Sequence, residues 1–149
     1  MADVKAQLQT ALKDAMKSKD NQRRDVIRLV QSAIKQQEID SGETLSDEQT
    51  MDILQKEAKK RRESITDYEK AGRDNLADAE RQELVIIETF LPRQLSKAEI
   101  EQIVEEVIAE TGAASPQAMG KVMGPVMARV QGQADGKLVN QVVREKLNS

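Results

Sequence analysis

The stretch Met119–Leu147, MGKVMGPVMARVQGQADGKLVNQVVREKL, sets how the rest of the chain is read. At 100° per residue, Gln117–Val130 winds so that Met119, Val122, Met123, Val126, Met127 and Val130 share one face, the spacing of a helix laid on a core. A methionine stripe of this kind is read as core packing rather than as a peptide groove. Gly120, Gly124 and Ala128, four residues apart, line a second face beside Lys121. That face has almost no side chain, so another backbone can come close to it. It fits two readings, the close packing of a second helix or the approach of a ligand. A glycine inside a helix costs roughly 1 kcal/mol against alanine, so two at this spacing ask for a reason. Pro125 lacks the amide that would bond the Lys121 carbonyl, and a bend or restart of the helix is expected there.

Downstream, Gly132 reads as the stop of this helix and Asp135 as the N-cap of the next. In that last helix Leu138, Val139, Val142, Val143 and Leu147 share one arc, and Lys137, Asn140, Gln141 and Arg144 share the opposite one. Gly132 and Gly136 allow a tight turn between the two. A glycine stripe, a helix N-terminus and a Lys/Asn/Arg face together suit a phosphate backbone. The run Gly132–Lys137 is one residue short of a P-loop, has Leu138 where the magnesium-binding hydroxyl should stand, and follows no strand, so nucleotide binding is rejected.

Working back towards the N-terminus, every segment has helical period. Val4–Lys17 is the first helix and Gln22–Ile39 the second, carrying Val26, Ile27, Leu29, Val30, Ala33 and Ile34. Ser46 with Gln49 forms a capping box for Asp47–Lys70, whose seam is Met51, Leu54, Ala58, Ile65 and Tyr68. A fourth helix spans Asn75–Leu91 and stops at Pro92. Ser96 with Glu99 caps Ala98–Glu110, and Ser115-Pro116 supplies an N-cap and a first-turn proline for the helix that follows. No run alternates with period two. The expected fold is therefore all-α in two helical lobes, four helices over residues 1–92 and three over residues 93–149.

Composition narrows the function. There is no Cys, His or Trp among 149 residues, which removes disulfides, thiolate chemistry, imidazole bases and the usual zinc sites. The acidic residues lie on exposed helical faces with no partner that would separate their pKa values, so no catalytic residue, metal or cofactor is assigned. No apolar run is long enough to span a membrane, the N-terminus is polar, and a reduced cytoplasm is the expected setting. Net charge is −3 but uneven: residues 1–92 carry 16 basic and 19 acidic groups, residues 93–110 carry 2 and 5, and residues 112–149 carry 5 and 2. The positive end coincides with the glycine-rich stretch, where charge would help bind phosphates. Two further basic runs, Lys59-Lys60-Arg61-Arg62 and Arg23-Arg24 with Arg28, are interrupted or flanked by acids and read as solvent-exposed helix surface.

Three blocks carry a family likeness: Phe90–Ser96 (FLPRQLS), Met119–Gly124 (MGKVMG) and Gly132–Asn140 (GQADGKLVN). Together they resemble the GatB/YqeY family, which comprises stand-alone YqeY proteins and the C-terminal part of the B subunit of tRNA-dependent amidotransferases. A similar domain is appended to some glutaminyl-tRNA synthetases. The likeness runs from the first helix to Leu147. It implies an all-helical, two-lobe protein whose C-terminal lobe contacts the outer corner of a tRNA, and it does not imply catalysis. On that reading the tRNA-binding residues are Gly120, Lys121, Gly124, Gly132, Gly136, Lys137, Asn140 and Arg144, with Asp135 ordering the helix start. The partners implied are tRNA and, through it, an amidotransferase or an aminoacyl-tRNA synthetase. The alternatives are a factor that joins glutamine-dependent amidotransferase machinery by protein contacts, and a general helical interaction module.

Overall fold

A computed structural model describes residues 3–148; the ends of the two expected lobes, residues 1–2 and 149, lie outside the described residues. The class is all-α: seven helices and one 3-10 turn, with no strand among the described residues. The helices are α1 Val4–Lys17, α2 Asn21–Ser41, α3 Asp47–Lys70, α4 Asp74–Glu88, α5 Lys97–Thr111, α6 Met119–Arg129 and α7 Gly136–Asn148, with the 3-10 turn at Pro116–Ala118 before α6. The chain divides into two compact units at the Pro92–Arg93 junction.

In the first unit the apolar faces of α1–α4 close on Val4, Leu8, Val26, Ile27, Val30, Ile34, Leu54, Ala58 and Ile87. Both ends of α2 and α3 are held by local chemistry. Gly42 takes φ 71° and ends α2, a conformation that side chains resist. Ser46 and Gln49 then satisfy each other's backbone amides at 3.2 and 2.9 Å. Leu45, just before that cap, is buried, and its amide donates to the Glu38 carboxylate at 2.8 Å. Lys5 first and the Leu45 amide second hold that carboxyl below its ordinary value.

Several expectations need correction here. α4 ends at Glu88 rather than Leu91, because residues 89–91 tighten into turns closed on Ile86, Ile87 and Glu88. Leu29, counted among the apolar residues of the second helix, is 46 % exposed. The Lys59–Arg62 run is solvated only in part: Lys60 is exposed, but its neighbours turn inward. Arg61 is buried, with Nη1 donating to the Glu57 carboxylate at 3.0 Å and to its carbonyl at 3.1 Å, and Glu57 is buried with it. Glu83 from α4 stands 3.9 Å from Arg61 Nε, and Arg62 pairs with Glu88 at 3.6 Å. The α3–α4 pair is thus bridged by charge as well as by apolar contact. The other basic run is also engaged: Arg23 lies 5.4 Å from the Phe90 ring centre, Arg24 pairs with Asp25 at 2.9 Å, and Arg28 donates to Met16 Sδ at 3.6 Å.

The second unit is a three-helix cluster around Ile100, Leu147 and eight valines, at positions 104, 107, 122, 126, 130, 139, 142 and 143. Each such valine contributes about 1.5–2 kcal/mol of burial. Ser96 and Glu99 form the second capping box, and Leu95 and Ile100, which flank the cap, both pack on this core in the manner of a hydrophobic staple. Ser115 makes no side-chain cap bond, so the expected N-cap there is absent, and Pro116 opens the 3-10 turn instead of α6 itself. Of the bend or restart expected at Pro125, the restart does not occur: α6 is continuous through it.

Candidate nucleic-acid interface

α6 turns Val122, Val126 and Val130 into the core, with Met119 and Met123 packed beside them. Met127 departs from the expected methionine core stripe and is 36 % exposed. On the far side, Gly120, Gly124, Pro125 and Ala128 face solvent. A methyl group placed at Gly120 or Gly124 would meet nothing within 4 Å. No helix of the same unit packs on this strip, so the bareness is not needed for the fold of that unit.

The turn after α6 has its own logic. Gly132 adopts φ 75°, and the Gln133 amide donates to the Val130 carbonyl at 2.7 Å. Asp135 accepts the Lys137 amide on its side chain at 3.3 Å and the Val139 amide on its carbonyl at 3.1 Å, the two bonds of an N-cap. Gly136, the first residue of α7, lies against the end of α6: a methyl there would sit 3.8 Å from Met127 Cε, ordinary contact. The structure therefore brings the α7 N-terminus to the C-terminal half of α6. Lys121 lies about 9 Å along the α6 axis from Met127 at 1.5 Å per residue. On α7, Asn140 and Arg144 are joined, Arg144 Nη2 donating to Asn140 Oδ1 at 3.1 Å.

The electrostatics of this unit separate its cations into two groups. Arg93 forks onto Glu99 at 3.0 and 2.7 Å, and that contact, followed by the Ser96 amide, lowers the Glu99 carboxyl to about 2. Lys97 pairs with Glu145 at 3.6 Å. Arg129 pairs with Glu110 and Glu106 at 2.5 and 3.6 Å, and Lys146 with Glu105 and Glu101 at 2.7 and 3.8 Å. Lys121, Lys137 and Arg144 have no acidic partner among the described residues, and all three are exposed. These are the three cations expected to meet a phosphate backbone. Sequence reasoning missed Gln94 and Gln133, which tie the start of the unit to the α6–α7 turn; two isolated polar residues follow no helical period and gave no signal.

A family model described as Yqey-like protein matches residues 5–147. The chain belongs to the YqeY-like family. Among curated proteins, this YqeY-like chain is similar to "Altered inheritance of mitochondria protein 41, mitochondrial" of Vanderwaltozyma polyspora, 44% identical over 56% of the chain and 46% of that protein. The protein of the same name from Eremothecium gossypii is 38% identical over 60% of the chain and 49% of its own length. That of Lachancea thermotolerans is 36% identical over 66% and 54%. The matched stretch thus spans about half the length of these relatives. They also correct the cytoplasmic setting expected from the sequence, since their names are mitochondrial. A polar N-terminus and a lack of cysteine do not distinguish a cytoplasm from an organelle matrix. No helix among the described residues is long and apolar enough to cross a membrane.

What the described residues of this face offer is exposed charge and open main chain. No group of three or more carboxylates clusters as a metal site among them. Shallow grooves lie beside α1, lined by Asp3, Gln7, Asp14 and Arg23, and between α1 and α2, where Lys5 is paired with Glu38.

Proposed function

We propose that this YqeY-like chain is a non-catalytic tRNA-binding accessory module that grips backbone shape with its second unit. The observation that carries the reading is the division of cations: Lys121, Lys137 and Arg144 lack acidic partners among the described residues, while Arg93, Lys97, Arg129 and Lys146 are neutralised. Unpaired exposed cations beside an open strip of main chain raise the local positive potential without raising the net charge of the chain. Gly120 and Gly124 let a sugar-phosphate chain approach closely, and Asp135 presents the α7 N-terminus. The second unit contains no aromatic residue. Base stacking on single strands is therefore not part of the grip, and folded RNA is the favoured ligand.

The test is a filter-binding titration of tRNA against the wild type and Lys137→Glu at constant low salt. Binding weakened roughly fivefold to tenfold, with thermal unfolding unchanged, is the expected result. Equal affinity of the two proteins overturns the reading. If a protein complex survives nuclease treatment and is lost in Gly124→Leu, while RNA binding is absent throughout, the open strip serves a protein partner such as amidotransferase machinery.

A further inference from the structure

The segment immediately after Pro92 does more than join the two units. The Leu95 amide donates to the Gln133 carbonyl at 2.8 Å, Gln94 Nε2 donates to the Gly132 carbonyl at 2.9 Å, and Gln133 Nε2 donates back to the Arg93 carbonyl at 3.2 Å. These three bonds link residues 38 or 40 positions apart, and they run in both directions. The Gly132 and Gln133 carbonyls lie in the turn after α6, where the helix no longer supplies amide partners. Gln94 and the Leu95 amide supply donors instead. Leu95 packs on the core, which fixes the lacing segment from its other end. Two residues beyond Gln133, Asp135 begins the cap that sets the Lys137 amide in place.

We propose that Gln94 and Gln133 are positioning residues for the candidate interface. They lace Arg93–Leu95 onto the α6–α7 turn and thereby hold Asp135, Gly136 and Lys137 where a ligand meets them. Neither residue touches the ligand in this account. The inference rests on the proposed RNA-binding reading for its functional half, and on the geometry alone for its mechanical half.

The experiment uses the full chain with Gln94→Met and Gln133→Met singly and together, apolar replacements of similar length that cannot donate. Amide hydrogen exchange is followed at Leu95 and Lys137 and, as a folding control, at Val126 and Val142. The expected result for the double variant is exchange at both Leu95 and Lys137 about tenfold faster or more, with the core amides unchanged. Its tRNA affinity should fall several-fold, and either single variant should show a smaller change in the same direction. Faster exchange at Leu95 with Lys137 unmoved overturns the proposal, as does wild-type affinity in a double variant whose Lys137 amide has been loosened. If the wild type binds no tRNA, the RNA-binding reading fails by itself. The coupling between the lacing segment and the α7 cap is then decided by the exchange data alone.

Discussion

Removing the Glu57 carboxylate leaves the Arg61 guanidinium buried, with Glu83 at 3.9 Å as its remaining acidic neighbour. An uncompensated buried charge costs about 3–5 kcal/mol, so Glu57→Ala should lower urea stability by an amount in that range. Replacing both partners, as Glu57→Leu with Arg61→Met, should come close to neutral, because the desolvation penalty disappears together with the attraction. A double variant as unstable as the single one would show that the pair does more than neutralise itself. The glycines of the interface separate by the same residue-scale logic. Gly124 has open space where a methyl would go, so Gly124→Ala should stabilise α6 by roughly 0.5–1 kcal/mol in thermal unfolding. If the strip serves a ligand, that gain comes with weaker tRNA binding; an unchanged affinity would show that the ligand does not use the strip. Gly132, at φ 75°, should behave oppositely, Gly132→Ala costing about 1 kcal/mol.

At the scale of the element, the α5 start is the place where pH acts. The Arg93 fork and the Ser96 amide lower the Glu99 carboxyl from an ordinary 4.5 to about 2. A carboxyl lowered on folding stabilises the folded state fully above its unfolded pKa and loses that contribution as pH falls through the folded one. The second unit should therefore lose stability between about pH 4.5 and pH 2, and Glu99→Gln should flatten the slope in that window. Circular dichroism melts across the range test this, and parallel slopes for the two proteins would count against it. The caps were also the most legible elements. Ser46 with Gln49 and Ser96 with Glu99 place reciprocal donors and acceptors three residues apart, and such local geometry can be read without the rest of the fold. At Pro125 the sequence left a bend and a restart open, and no restart occurs. A missing amide removes one bond, but the neighbouring turns of α6 are pinned by Val122 and Val126 in the core, and the helix continues. Arg61 misled because a run of four cations looks solvated until α4 brings Glu83 across from the sequence twenty-two positions away. The lacing by Gln94 and Gln133 was invisible for the same reason, since neither residue has a local partner pattern.

For the molecule as a whole, the helical class and the family were legible, because the apolar period runs through nearly the full chain and three motif blocks fall between Phe90 and Asn140. The compartment was not, because nothing in the packing of a helical unit depends on it. The division of charge gives the last prediction. With three unneutralised cations at the interface, the logarithm of tRNA affinity should fall against the logarithm of salt with a slope of roughly −2 to −3. A much steeper slope would mean that paired cations such as Arg129 or Lys146 are released to bind, and a flat one that phosphates are not the ligand. Valine fills eight of the ten buried positions in the second unit. In a helix a valine side chain already occupies one dominant rotamer, so burying it surrenders little rotational freedom. The core of a unit of fewer than sixty residues is thus assembled from side chains that are stiff before they are packed. The same stiffness lowers helix propensity, so the three helices hold their shape chiefly by being together.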